Sequence, residues 1–257
     1  LDQLVTRCSA YGWAGPPVKM YWGGLAERGV VRDWRAWQED HPGERSADNF
    51  AHVAFGPERS PEDIALSISL AETWSVAAAA GGMVGCVVGV SGTGIAGLSF
   101  VAYAQVLGAE RIVCVGRRAE RTRRAAECGA TDVATAGPEA DSLFSDLGGA
   151  DVVFEASGSA PAVAAAYRWV RPGGRLIIYS APEAPVPLDV MASPRSASLV
   201  VARPREGAVL KGVANMVESG LLPRELFLSS SYSLDRIGEA FEDIDRGDVV
   251  KALVTFR

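Results

Sequence analysis

The chain has 257 residues, 48% hydrophobic and 22% charged, enough apolar material for one large domain or for one domain plus part of another. Its formal net charge of −6 argues against a nucleic-acid partner, while leaving room for a small anion in a local basic pocket. The four cysteines, Cys8, Cys86, Cys114 and Cys128, have no C-x-x-C spacing, which argues against a disulfide or metal framework and for reduced thiols in a cytoplasmic protein.

Residues 1–73 are irregular. A Gly/Pro/aromatic loop at 11–17, a short strand region at 21–31 and a polar connection at 40–49 carry Trp13, Trp22, Trp34 and Trp37, which need partners to bury against. This segment therefore reads as part of a larger unit, and the opening on Leu1 without a basic-then-apolar leader fits a chain that continues upstream. Ser60-Pro-Glu-Asp63 supplies a helix cap, a proline at the first helical position and acids in the first turn. It predicts a helical piece through 64–70 and a second one through 74–80.

The stretch from Val84 to Gly97 reads as a buried parallel strand, a glycine turn and a helix, with Gly92, Gly94 and Gly97 spaced G-x-G-x-x-G. In that pattern the first glycine turns the chain off the strand, the second lets a pyrophosphate approach the main chain, and the third lets helix and sheet pack closely. The phosphates would sit on the helix N-terminus. A glycine-rich strand without a ligand is the plain alternative. No charged residue falls between Glu72 and Glu110, but that run is about twice the ~20 residues of one membrane span, is broken by glycines and lacks a flanking Lys/Arg cluster, so no membrane association is expected.

Downstream, strands and helices alternate as in a doubly wound α/β (Rossmann) fold. Helices are expected at 95–107, 118–128, 160–170 and 206–219, and strands at 111–115, 131–134, 150–154, 175–180 and 198–202. Right-handed crossovers then bring Gly92, Arg117, Ser157 and Ser180 to one crevice at the carboxyl ends of the strands. Ser157 and Ser180 have no base in their local sequence, and so read as contacts rather than nucleophiles.

Cofactor choice is read about twenty residues past the glycines, where an acid would hold the ribose hydroxyls of NAD. Here the stretch is Val115-Gly116-Arg117-Arg118-Ala119-Glu120-Arg121, which lacks that acid and supplies guanidinium groups. Arg117 and Arg121, with Arg118 starting the helix, can close on one phosphate, so NADP(H) is expected over NAD(H). Arg123 and Arg124 read as a solvated helix face.

From about Trp22 onward the sequence resembles the medium-chain dehydrogenase/reductase superfamily, particularly its zinc-type alcohol and polyol dehydrogenases. The resemblance is carried by Gly23-Gly-Leu-Ala-Glu27, the glycine turn, Leu107-Gly-Ala-Glu-Arg-Ile112, Cys128-Gly-Ala-Thr-Asp132, Asp151-Val-Val-Phe-Glu-Ala-Ser-Gly158, Arg171-Pro-Gly-Gly-Arg175 and Asp248-Val-Val-Lys-Ala-Leu-Val254. It implies a nucleotide-binding domain over 74–223, with 1–73 and 224–257 contributing to a β-rich catalytic domain. It also implies that the main chain of Thr93, Gly94 and Ile95 meets pyrophosphate, that Ala156, Ser157, Gly158 and Ser180 lie beside the nicotinamide half, and that Lys251 faces the pyrophosphate.

Zinc-type relatives hold their metal with a cysteine and a His-Glu pair upstream of the region matched here. His41 and His52 are not followed by Glu, and Cys8 alone cannot hold a tetrahedral zinc, so a metal is expected only through residues upstream of Leu1. No catalytic residue is assigned. The function implied is interconversion of a small alcohol or polyol and its carbonyl, with a zinc-free quinone or enoyl reductase and a non-catalytic nucleotide-binding module as the other readings. Residues 198–202, as an outer strand, would offer an edge for a homodimer.

Overall fold

The computed structural model describes residues 4–5, 39–42, 53–182, 184–189 and 196–256. The expected strand at 21–31, the four N-terminal tryptophans, Cys8 and His52 lie outside them. A two-residue antiparallel bridge joins β1 (Leu4–Val5) to β2 (Val53–Ala54).

The centre is a six-stranded, wholly parallel sheet. Its strands are β3 (Val87–Ser91), β4 (Arg111–Gly116), β5 (Asp132–Thr135), β6 (Ala150–Glu155), β7 (Val170–Ile178) and β8 (Ser198–Val201), in the spatial order β5-β4-β3-β6-β7-β8. The order reverses at β3. The chain first runs outward through β4 and β5, then returns to place β6 on the other side of β3, which opens a crevice between the two carboxyl ends. The expected Rossmann fold is thus the observed one.

Side-chain alternation on buried strands builds two cores. Val88, Val90, Ile112, Cys114, Val152 and Phe154 face one side, under α1 (Pro61–Ala80), α2 (Ile95–Val106) and α6 (Glu206–Glu218). Val113, Val115, Val153 and Leu176 face the other, under α4 (Pro138–Asp146) and α5 (Ala160–Arg168). Between β4 and β5 runs α3 (Ala119–Glu127). Covering both faces of a parallel sheet is what makes its strands uniformly apolar.

Three elements depart from the sequence reading. The pieces expected at 64–70 and 74–80 are one helix, α1, because no residue between them breaks it; Ser60 caps it, accepting from the Asp63 N–H at 3.3 Å. Helix α4 was not expected: its buried residues are Ala140 and Phe144 alone, too few to show a period. Strand β7 begins at Val170, ahead of the expected 175, with a register shift opposite 150–152.

α1 is tied to α2 by Ser99 Oγ donating to Thr73 Oγ1 at 2.9 Å and Tyr103 Oη donating to the Leu70 carbonyl at 2.7 Å. After the short α7 (Arg224–Phe227), the C-terminal residues form β9 (Ser230–Ser233), α8 (Ile237–Arg246) and β10 (Ala252–Thr255), a parallel strand pair with its own small core of Tyr232, Ala240 and Val249. Among the described residues no helix is long and apolar enough to cross a membrane.

Candidate functional site

The turn after β3 is built by close approach. Gly92 has φ +120°, and a Cβ there would lie 3.0 Å from the carbonyl of Ala156 and 3.2 Å from the Ser157 nitrogen, so the turn presses on the loop that follows β6. At Gly97 a Cβ would stand 2.0 Å from the Gly92 oxygen; only glycine lets α2 sit this close to the strand it follows. Gly94 is different. A Cβ built on it meets nothing within 4 Å, and no side chain caps the N-terminus of α2 that it begins. Open space over Gly94, with first-turn N–H groups and the positive end of the helix dipole beneath, fits the pyrophosphate of a dinucleotide. Thr93 is buried against the end of β4, where its Cγ2 lies 2.6 Å from the Cβ position of Gly116.

Arg117 follows Gly116 and is exposed at the end of β4. The expected pairing of Arg117 with Arg121 is not the one observed. Arg118 caps α3 instead of starting it, and it joins Arg121 on the C-terminus of α8. Arg118 Nη1 donates to the Arg246 carbonyl at 2.8 Å, while Arg121 donates to the carbonyls of Gly247 at 3.1 Å and Ile244 at 3.2 Å. A helix C-terminus offers unpaired carbonyls and negative dipole charge, which explains the choice. Arg124, expected in solvent, reaches Ser229 Oγ at 2.8 Å. Burial pushes the Arg121 guanidinium below its ordinary value, the charges of Arg118, Arg124 and Arg117 push the same way, and the charge of Asp248 opposes them.

On the other wall, Ser157 and Ser180 meet through a residue that the sequence reading passed over. Glu155, the last residue of β6, is fully buried. Its Oε1 accepts from Ser157 N at 2.7 Å and Ser157 Oγ at 2.5 Å, and its Oε2 accepts from Ser180 Oγ. Gly158 lies with its Cβ direction 3.9 Å from the Ser180 side chain, so 156–158 and 180 form one wall. An acid closing an apolar run looks like a solvent-facing strand end; the only signal was two serines placed to satisfy it.

Lys251 is held on α1, its Nζ donating to Ser69 Oγ at 2.8 Å. Burial pushes its ammonium below the ordinary value, opposed by the charge of Glu72. Glu72 in turn accepts from Tyr179 Oη at 3.0 Å. Among the described residues no group of three or more His, Cys, Asp and Glu could hold a metal ion. Burial pushes the thiols of Cys114 and Cys128 up to about 12, so neither is a thiolate nucleophile at neutral pH.

The comparisons agree with this architecture. Residues 96–203 match the family model described as zinc-binding dehydrogenase. L-threonine 3-dehydrogenase of Bacillus licheniformis is 27% identical over 212 residues, covering 79% of this chain and 61% of the relative. Among solved structures, alcohol dehydrogenase TADH from Thermus sp. ATN1 is 28% identical with a TM-score of 0.72, over 81% of this chain and 62% of that one. A Sinorhizobium meliloti 1021 protein described as a zinc-binding dehydrogenase and bound to NADP is 25% identical with a TM-score of 0.67, over 79% of this chain and 62% of that one. The chain therefore spans about three-fifths of the length of these relatives. Fold, glycine turn and matches agree in one direction: across its parallel sheet this chain is similar to zinc-type medium-chain alcohol and polyol dehydrogenases.

Proposed function

We propose that this chain is the cofactor-binding part of an NADP(H)-dependent oxidoreductase that interconverts a small alcohol or polyol and its ketone or aldehyde. The observation that carries the cofactor choice is the end of β4, where Arg117 is exposed beside Arg118 and Arg121 and no acid follows Gly116. A carboxylate there would favour ribose hydroxyls; guanidinium groups favour a 2′-phosphate. In this reading the N–H groups around Thr93, Gly94 and Ile95 hold the pyrophosphate, and Ala156, Ser157, Gly158 and Ser180 flank the nicotinamide. Residues 74–223 form the cofactor domain, and 1–73 and 224–257 belong to a catalytic domain that closes over the crevice and excludes water. The bound nicotinamide supplies the hydride chemistry; the chain's own task is to hold and orient it.

NADPH titrated into the protein, followed by nicotinamide fluorescence, should bind at least tenfold more tightly than NADH, and Arg117→Ala should remove roughly 1–2 kcal/mol of that preference. Equal binding of the two cofactors would sink the arginine reading. The exposed β8, with Val201 66% accessible at the sheet edge, is the face proposed for a homodimer, and a monomer in sedimentation would refute it.

A further inference from the structure

Glu155 does more than fill a core position. Its main-chain carbonyl accepts from Tyr179 N at 2.9 Å and Ser180 N at 3.3 Å, while its carboxyl group holds both serine hydroxyls and the Ser157 N–H. One fully buried residue thus joins the loop after β6 to the loop after β7, and the first of these rests on the glycine turn. A buried carboxylate is tolerated when its lone pairs are satisfied, and here three donors converge on it.

The chemistry of those donors fixes what the wall can offer. A hydroxyl has one proton, and both serines have given theirs to Glu155. What remains to each is acceptor capacity. Ser157 Oγ already accepts from Ser159 N at 3.3 Å, so Ser180 Oγ is the less committed of the two. A wall of acceptors repels a phosphate and takes a group that carries N–H or O–H donors. The two sides of the crevice therefore differ in kind, with N–H donors over Gly94 and acceptors at Ser157 and Ser180.

We propose that Glu155 is a positioning residue that locks Ser157 and Ser180 as hydrogen-bond acceptors, so that this wall takes the donor-bearing end of the dinucleotide, through either the carboxamide N–H₂ or a hydroxyl of the nicotinamide ribose. The inference rests on the dinucleotide reading of the crevice. It adds a polarity that sets which end of the cofactor goes where.

The test measures binding of NADP⁺ and of two analogues, one with an acetyl group in place of the carboxamide and one lacking the 2′-hydroxyl of the nicotinamide ribose. The wild-type chain should discriminate at least about tenfold against one of them, and which one identifies the donor. Ser180→Ala should reduce that ratio to about twofold while leaving the affinity of the disfavoured analogue unchanged. Glu155→Gln, whose amide oxygen can still accept from Ser157 while its N–H₂ faces Ser180 Oγ and frees that hydroxyl's proton to turn outward, should collapse the ratio in the same way. A merely structural role would weaken all three ligands together. Discrimination that persists in Ser180→Ala, or none against either analogue in the wild type while NADP⁺ still binds, overturns the acceptor wall and leaves the dinucleotide site standing. Failure of the wild type to bind any dinucleotide overturns both. Ser180→Ala decides the matter if Glu155→Gln does not fold.

Discussion

The two ends of the same sheet handle charge in opposite ways. At the amino end, two arginines meet aspartates: Arg111 makes a two-pronged contact with Asp132 at 2.9 and 2.7 Å, and Arg171 pairs with Asp151, which also accepts from the Val87 N–H at 2.9 Å. At the carboxyl end, Arg118, Arg121 and Arg124 meet carbonyls and a hydroxyl, and Arg117 stands exposed among them. The N-termini of the crossover helices gather at that same end and add their positive dipole charge. One end of the sheet holds arginine–aspartate pairs, and the other sets guanidinium groups on main-chain carbonyls beside an open glycine turn. A parallel α/β sheet has one end for holding itself together and one for binding, and here side-chain choice sharpens that division.

The largest effect is expected from closing the binding end. Gly97→Val places a Cβ 2.0 Å from the Gly92 oxygen, and since the obstacle is backbone, α2 must back away from β3. A loss of about 3 kcal/mol in urea unfolding is expected, together with loss of dinucleotide binding. Unchanged stability would mean that α2 does not depend on this close approach.

At the other end, Asp151→Ala removes the partner of Arg171 and leaves the Val87 N–H unpaired where β3 begins. The expected cost is about 1–2 kcal/mol in urea unfolding, most of it from the orphaned N–H, because the Arg171 side chain is 52% exposed and its ion pair is screened. Cofactor affinity should not change. If it falls in step with stability, the two ends are not separable.

What the sequence made legible follows the same division. The glycine turn, the alternation of strands and helices and the arrival of Gly92, Arg117, Ser157 and Ser180 at one end depend on local spacing and on the handedness of crossovers, and all are visible in a single chain. The partners of those residues are not. Arg118 and Arg121 find acceptors more than 120 positions away, at the end of α8, and nothing near Arg118 announces that helix. Glu155 was overlooked because its burial depends on Ser180, 25 positions later and one strand over. Helix α4 was overlooked because it buries two side chains on nine residues.

The smallest expected effect isolates the amino-end pairing by pH. Burial alone would raise the Asp132 carboxyl, but hydrogen bonds from Arg111 and Thr131 and the charge of Arg111 outweigh it and hold the group below the usual carboxylate range. A carboxyl depressed in the folded state contributes stability above its unfolded value of about 4, and that contribution is lost as pH falls through the folded value. Asp132→Asn should therefore lower the urea midpoint slightly at pH 7, with the gap to the wild type closing below about pH 4. The gap should also narrow at high salt, because the Arg111 side chain is 41% exposed. A gap that stays constant across that range would mean that Asp132 acts through its shape and neutral hydrogen bonds, and that charge neutralisation is not what closes this end of the sheet.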